Sequence, residues 1–171
     1  EDALEVGQRL FLQNCSQCHG SNAMGGRGFP NLTDDDWLYG GTPHDIKTTL
    51  LNGRQGNMPA WGEQFSDQEI TELANYVASL SGRERDPELV AAGKKNFAVC
   101  SACHGPNGKG NQQLGAPNLT DNVWLYGGSI ATIEETLHYG RNGVMPAWKD
   151  ILGEDKIHVV SAYIYSLSHD E

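Results

Sequence analysis

Cys15-Ser16-Gln17-Cys18-His19 and Cys100-Ser101-Ala102-Cys103-His104 are two copies of C-x-x-C-H, the attachment signature of a c-type haem. In such a motif two thiols add to the porphyrin vinyl groups and the adjacent imidazole takes the iron from one face. A single C-x-x-C also fits a thiol redox pair or half a zinc site. Two copies, each followed at once by His, favour covalent haem over both. The motifs use all four cysteines, so none remains for a structural disulfide.

Working outward, both motifs sit in a long duplication. Gly28-Phe29-Pro30-Asn31-Leu32-Thr33-Asp34-Asp35-Asp36-Trp37-Leu38-Tyr39-Gly40-Gly41 recurs as residues 115–128 with 11 of 14 positions identical. Gly53-Arg54-Gln55-Gly56-Asn57-Met58-Pro59-Ala60-Trp61 recurs as residues 140–148 with 7 of 9 identical. The offset is 85 at the cysteines and 87 from Pro30/Pro117 onward, so two residues are inserted after the second motif. A period this long, present twice, predicts duplicated domains, 1–83 and 84–171, with the charged Ser81–Pro87 stretch as linker.

Apolar residues recur at helical spacing throughout. Leu4, Gly7 and Phe11 predict a first helix, echoed by Val90, Gly93 and Phe97. Thr42-Pro43 and Ser129 open short helices that Gly53 and Gly140 stop. Ser66-Asp67-Gln68-Glu69 is a capping box before the stripe Ile70, Leu73, Val77, Leu80, with Tyr76 beside it. Ile157, Val160, Ile164 and Leu167, with Tyr163, repeat that stripe. A helix glycine kept in both copies predicts a close crossing, Gly7 against the Tyr76 region and Gly93 against Tyr163. With no sustained strand pattern, the fold class is all-α: two tandem cytochrome c domains of class I type, each wrapped around one covalent haem c.

Composition agrees. A hydrophobic content of 38% is low for a core built from side chains alone, and a porphyrin supplies the missing apolar bulk. The formal charge of −10 divides into −6 over residues 1–83 (11 acids, 5 bases) and −4 over 84–171 (11 acids, 7 bases). That sign disfavours nucleic acid and anionic membrane surfaces and suits a basic redox partner. No secretory signal or long apolar run is present, so any membrane anchor is expected to lie outside this stretch. Haem attachment on the outer side of a bacterial membrane predicts a periplasmic address.

His19 and His104 supply one iron ligand each, and the repeat filters candidates for the other. Met58 and Met145 are equivalent, each within Gly-x-Met-Pro-Ala-Trp, whereas Met24 has no counterpart. His44, His138, His158 and His169 fail the same filter. A thioether opposite an imidazole is the ligand pair of electron-carrying cytochromes c, and it raises the reduction potential. Pro30 and Pro117 are candidates to accept a hydrogen bond from the two imidazoles, or simply rigid turns. Arg54 and Arg141 are candidate propionate partners. Trp37, Trp124, Trp61 and Trp148 are candidate pocket walls.

The Pro-Asn-Leu-Thr-Asp-x-x-Trp-Leu-Tyr-Gly-Gly block and Gly-Arg-x-Gly-x-Met-Pro-Ala-Trp, both used twice, resemble the dihaem subunit (CcoP or FixP) family of the cbb-type haem–copper cytochrome c oxidases. The resemblance covers residues 4–169. It maps the family's pattern onto Cys15, Cys18, His19 and Met58, then onto Cys100, Cys103, His104 and Met145. It implies a membrane-anchored subunit whose periplasmic haems pass electrons toward an oxygen-reducing subunit, with no catalysis on this chain. Its partners would be oxidase subunits and a basic donor cytochrome. The family's N-terminal membrane helices are missing from this stretch. A free soluble dihaem shuttle is the alternative of the same class. A dihaem peroxidase needs one iron open to peroxide and a polar group beside it, against two retained methionines. Gas sensing needs a labile one.

Overall fold

The computed structural model describes residues 2–169. The chain is mostly helical: α1 (Ala3–Asn14), α2 (Ser16–His19), α3 (Pro43–Asn52), α4 (Asp67–Leu80), α5 (Pro87–Asn96), α6 (Ser101–His104), α7 (Ile130–Tyr139) and α8 (Lys149–Ser166). The all-α class holds, with one departure. Each methionine loop opens as a short strand, β1 (Arg54–Met58) and β2 (Arg141–Met145), and the two form a two-stranded sheet. Five-residue strands rich in Gly, Asn and Gln carry little apolar alternation, which is why no strand is legible there.

Helix starts follow their capping chemistry. Asp2 caps α1 by accepting from the Leu4 amide at 3.1 Å. Thr42 and Asp45 form a reciprocal capping box on α3, as do Ser66 and Glu69 on α4. Ser129 caps α7 in one direction, since Thr132 stands where the carboxylate would be. Asp86 caps α5, with Pro87 in its first turn. Inside α8 the backbone turns out of helical geometry at Gly153 (φ +76°).

The compact units do not follow the repeat boundary near residue 84. One unit joins Glu1–Gln55 to Gly143–Glu171, and the other is Gly56–Asn142. The chain passes between them within β1 and again within β2. Ser81–Asp86 is therefore not an interdomain linker; it is the turn between α4 and α5, which pack together inside the second unit.

The helix crossings expected within each repeat are thus exchanged. In the first unit α1 packs on α8, not α4. A Cβ at Gly7 would lie 2.6 Å from Tyr163 Cβ and 2.9 Å from the Val159 carbonyl oxygen, and Phe11 meets the Tyr163 ring at 5.7 Å. In the second unit α5 packs on α4. A Cβ at Gly93 would collide with the backbone of Glu72, and Tyr76 meets Phe97 edge-on at 5.1 Å. Glycine is required at both positions, because a Cβ would meet Tyr163 and the Val159 carbonyl at Gly7 and the Glu72 backbone at Gly93. Only the partner helix differs from expectation.

Each unit has its own core. Phe11, Leu50, Ile157 and Val160 centre the first; Ile70, Leu73, Ala74 and Phe97 centre the second. Burial of this kind stabilises by about 25 cal/mol per Å² of apolar surface.

Candidate haem pockets

Both motif helices, α2 and α6, are single turns that leave their His buried, with His19 8% and His104 7% exposed. The loop that follows orients the ring. The Gly25 amide donates to the His19 carbonyl and the Leu32 amide to the Ala23 carbonyl, both at 2.8 Å. The second copy repeats this with Gly110 to His104 at 2.8 Å and Leu119 to Gly108 at 2.7 Å. The two-residue insertion falls between these anchors, widening the bridge Gly26–Phe29 into Asn111–Ala116. Asn31 Oδ1 accepts from the Thr33 amide at 2.8 Å and hydroxyl at 2.7 Å; Asn118 does the same for Thr120 at 2.9 and 2.7 Å.

These turns bring the Pro30 carbonyl to 2.9 Å from His19 Nδ1 and the Pro117 carbonyl to 2.9 Å from His104 Nδ1. A carbonyl only accepts, so each Nδ1 carries the proton and each Nε2 keeps its lone pair for a metal. Burial pushes both imidazoles below their usual pKa, partly opposed by the bond to the proline carbonyl. Neutral rings with a free Nε2 are what a metal requires.

All four cysteines are free, Cys15 and Cys100 buried, Cys18 and Cys103 exposed. Burial, then the neighbouring Cys18, push the Cys15 thiol up to about 11, and Cys100 rises to about 11 in the same way beside Cys103. A dithiol redox motif needs a lowered thiol pKa; these lie on the opposite side. No cluster of three His, Cys, Asp or Glu able to hold a metal occurs among the described residues.

The methionines have changed places. Met145 packs against the core that contains Cys15, and Met58 against the core that contains Cys100. The backbone anchors them there. The Trp148 amide donates to the Leu50 carbonyl at the end of α3, and the Trp61 amide to the Leu137 carbonyl in α7, both at 2.8 Å. Gly53, at φ +69°, leaves room for the Met145 carbonyl, 2.5 Å from where its Cβ would be. Gly140, at φ +70°, does the same for Met58. The family pattern's grouping, His19 with Met58 and His104 with Met145, is not the grouping of the compact units. His19 and Met145 share one unit, and His104 and Met58 share the other. Met24 is 57% exposed and far from any such role. His138 lies 3.7 Å from Asp67, and His169 stacks on Tyr165.

The remaining candidates sort by unit. Trp37 and Trp148 line the first core; Trp124 and Trp61 line the second. Arg54 donates to Thr49 Oγ1 at 2.9 Å and lies over Tyr39 at 4.8 Å. Arg141 donates to Thr136 Oγ1 at 2.9 Å and Glu135 at 3.0 Å, and lies over Tyr126 at 4.4 Å. Its Nη2 is buried without a hydrogen-bond partner. Sequence reasoning missed Arg83 and Arg85, which no matching arginine in the second repeat marks. Both are half-buried; Arg83 lies over the Trp124 ring, and Arg83 Nη2 and Arg85 Nε are individually buried with no hydrogen-bond partner. Orphaned guanidinium nitrogens, neutral imidazoles with a free Nε2 and paired thiols together fit a haem bearing carboxylates.

Helical shells around two such sets define the class, a c-type cytochrome. The family described as cytochrome C oxidase, cbb3-type, subunit III matches residues 2–77 and again 88–164, and the chain belongs to it. It is 47% identical to the cbb3-type cytochrome c oxidase subunit CcoP of Rubrivivax gelatinosus over 97% of this chain and 55% of that protein. It is 47% identical to the subunit FixP of Azorhizobium caulinodans over 94% of this chain and 58% of that protein. Against the subunit CcoP of Cereibacter sphaeroides the identity is 44%, over 99% and 62%. The chain thus spans little more than half the length of these relatives. Among the described residues no helix is long and apolar enough to cross a membrane.

Proposed function

We propose that this chain is the dihaem electron-transfer portion of a cbb3-type oxidase subunit, carrying electrons toward an oxygen-reducing subunit and performing no bond-making chemistry itself. The observation that carries the reading is the pair of equivalent pockets, each with a buried imidazole oriented by a proline carbonyl and a methionine delivered from the opposite repeat. When bound, haem c supplies reversible one-electron iron chemistry.

The protein does the rest. Cys15 and Cys18, and Cys100 and Cys103, tether. His19 with Met145, and His104 with Met58, would hold the two irons, which suits outer-sphere transfer. Both thioethers favour ferrous iron and raise the potential. Arg54 and Arg141 would pair with the carboxylates of the bound group, while the tryptophans would shield it from water. The net charge of −10 steers a basic donor toward the chain, with a rate that falls as salt rises. The partners in this reading are the other oxidase subunits and that donor. The address in this reading is the periplasmic face of the inner membrane.

A pyridine haemochrome count on purified protein tests the reading, with two c-type haems per chain expected. One haem, or a ferrous spectrum that shifts readily with carbon monoxide, contradicts it.

A further inference from the structure

The two pockets share their ligand types, but their surroundings differ in charge. In the second unit Arg83 lies over the Trp124 ring at 4.9 Å. Its Nε donates to Ser81 Oγ at 3.1 Å and its Nη1 donates to the Gly128 carbonyl. Its Nη2 is buried with no hydrogen-bond partner, and so is the Nε of Arg85. An unsatisfied buried guanidinium nitrogen is costly, and two cations side by side are costlier. Burial, then the charge of Arg85, hold the Arg83 guanidinium below its usual range. An anion between them would satisfy the orphaned donors and relieve the repulsion.

The first unit has no equivalent. Among its described residues no guanidinium nitrogen is buried without a partner. The repeat counterpart of Arg83 is Asp170, of opposite sign and outside the described residues. His169, just before it, folds back on its own helix, stacking on Tyr165 at 4.0 Å and donating from Nδ1 to the Tyr165 carbonyl at 3.0 Å.

From this we infer that Arg83 and Arg85 form a carboxylate-binding cation pair for the haem on Cys100 and Cys103, raising its reduction potential relative to the haem on Cys15 and Cys18. The inference rests on the haem reading above. Reduction adds an electron, so a nearby fixed positive charge favours the ferrous form; at low effective dielectric such a charge acts over several ångströms. The turn joining the repeats thereby distinguishes two otherwise matched sites.

The test is a redox titration of the dihaem protein followed by NMR, reading the shifted haem methyl signals of each site separately. Arg83→Gln is expected to weaken the reduction equilibrium of the second haem on the order of tenfold, about 59 mV for a one-electron couple. Arg85→Gln should shift it in the same direction by less, and Arg83→Lys should recover most of the loss. The first haem should move less than about twofold, since its unit lacks the pair. Equal shifts at both haems, no shift with both haems attached, or Arg83→Lys as low as Arg83→Gln would overturn the proposal. Should Arg83→Gln impair folding, Arg85→Gln carries the same comparison. Failure of the underlying reading looks different: the unsubstituted protein would lack a haem or its methionine ligation.

Discussion

The two compact units build one kind of shell, one from both ends of the chain and the other from its middle, and they differ in how tightly and with what charge they close. In the first, α1 meets α8 through a side chain, Tyr163, and one carbonyl; in the second, α5 meets α4 directly through backbone. The second also holds Arg83, Arg85 and Arg141 with unsatisfied buried nitrogens. A duplicated sequence therefore does not yield two equal sites. Identity is preserved at the paired cysteines, histidines, prolines and methionines and lost at Arg83, which aligns with Asp170.

Substitutions at the crossings probe the comparison most strongly. Gly93→Ala forces a Cβ into the Glu72 backbone, which cannot rotate away, so a loss of about 3 kcal/mol is expected in chemical denaturation. Gly7→Ala should cost about 2 kcal/mol, because part of its clash is with Tyr163. A double-mutant cycle sharpens this. Tyr163→Ala should relieve part of the Gly7→Ala penalty, giving a coupling of at least about 0.5 kcal/mol, whereas Tyr76→Ala should add independently. Coupling of Gly7 to Tyr76 would restore helix pairing within each repeat.

Aromatic pairs give a smaller effect. Phe11–Tyr163 and Phe97–Tyr76 should each show a coupling of about 1 kcal/mol in such cycles, with no coupling for Phe11–Tyr76.

Helix caps give the smallest, and they separate α3 from α7 by pH. Hydrogen bonding to Thr42 holds the Asp45 carboxyl below its usual pKa. A depressed folded pKa means the unfolded chain binds more protons, so this contribution is present above the ordinary carboxylate pKa and fades as pH falls through the folded value. Thr42→Ala should cost about 1 kcal/mol near neutrality, and Asp45→Asn should flatten the acid dependence of α3. The cap of α7 pairs Ser129 with Thr132, without a carboxylate, so it should show no such dependence. Amide exchange in α3 and α7, corrected for intrinsic rates, reads the difference.

Much of this was legible in the sequence. Cap residues and apolar periodicity marked the helices, and the duplication selected His19, His104, Met58 and Met145 from all histidines and methionines. Pairing was not legible. When both copies carry the same Gly, Tyr and Met at matching positions, the pattern reads identically whether a helix packs on its own repeat or on the other. One physical signal pointed the right way. Ser81–Asp86 is short, and short connections join antiparallel neighbouring helices, so α4 and α5 had to be partners. Arg83 and Arg85 were invisible for the opposite reason: with no matching arginine in the second repeat, they resembled solvated linker charges.

Exchange of the methionine ligands between repeats is the central claim. Nuclear Overhauser contacts of each methionine methyl in the fully reduced dihaem protein test it directly, with methyls assigned by Met58→Leu and Met145→Leu and haems assigned through their thioether links. The account predicts that the Met145 methyl contacts the haem on Cys15 and Cys18 and the Met58 methyl that on Cys100 and Cys103. Contact between Met58 and the haem on Cys15 and Cys18 would contradict it.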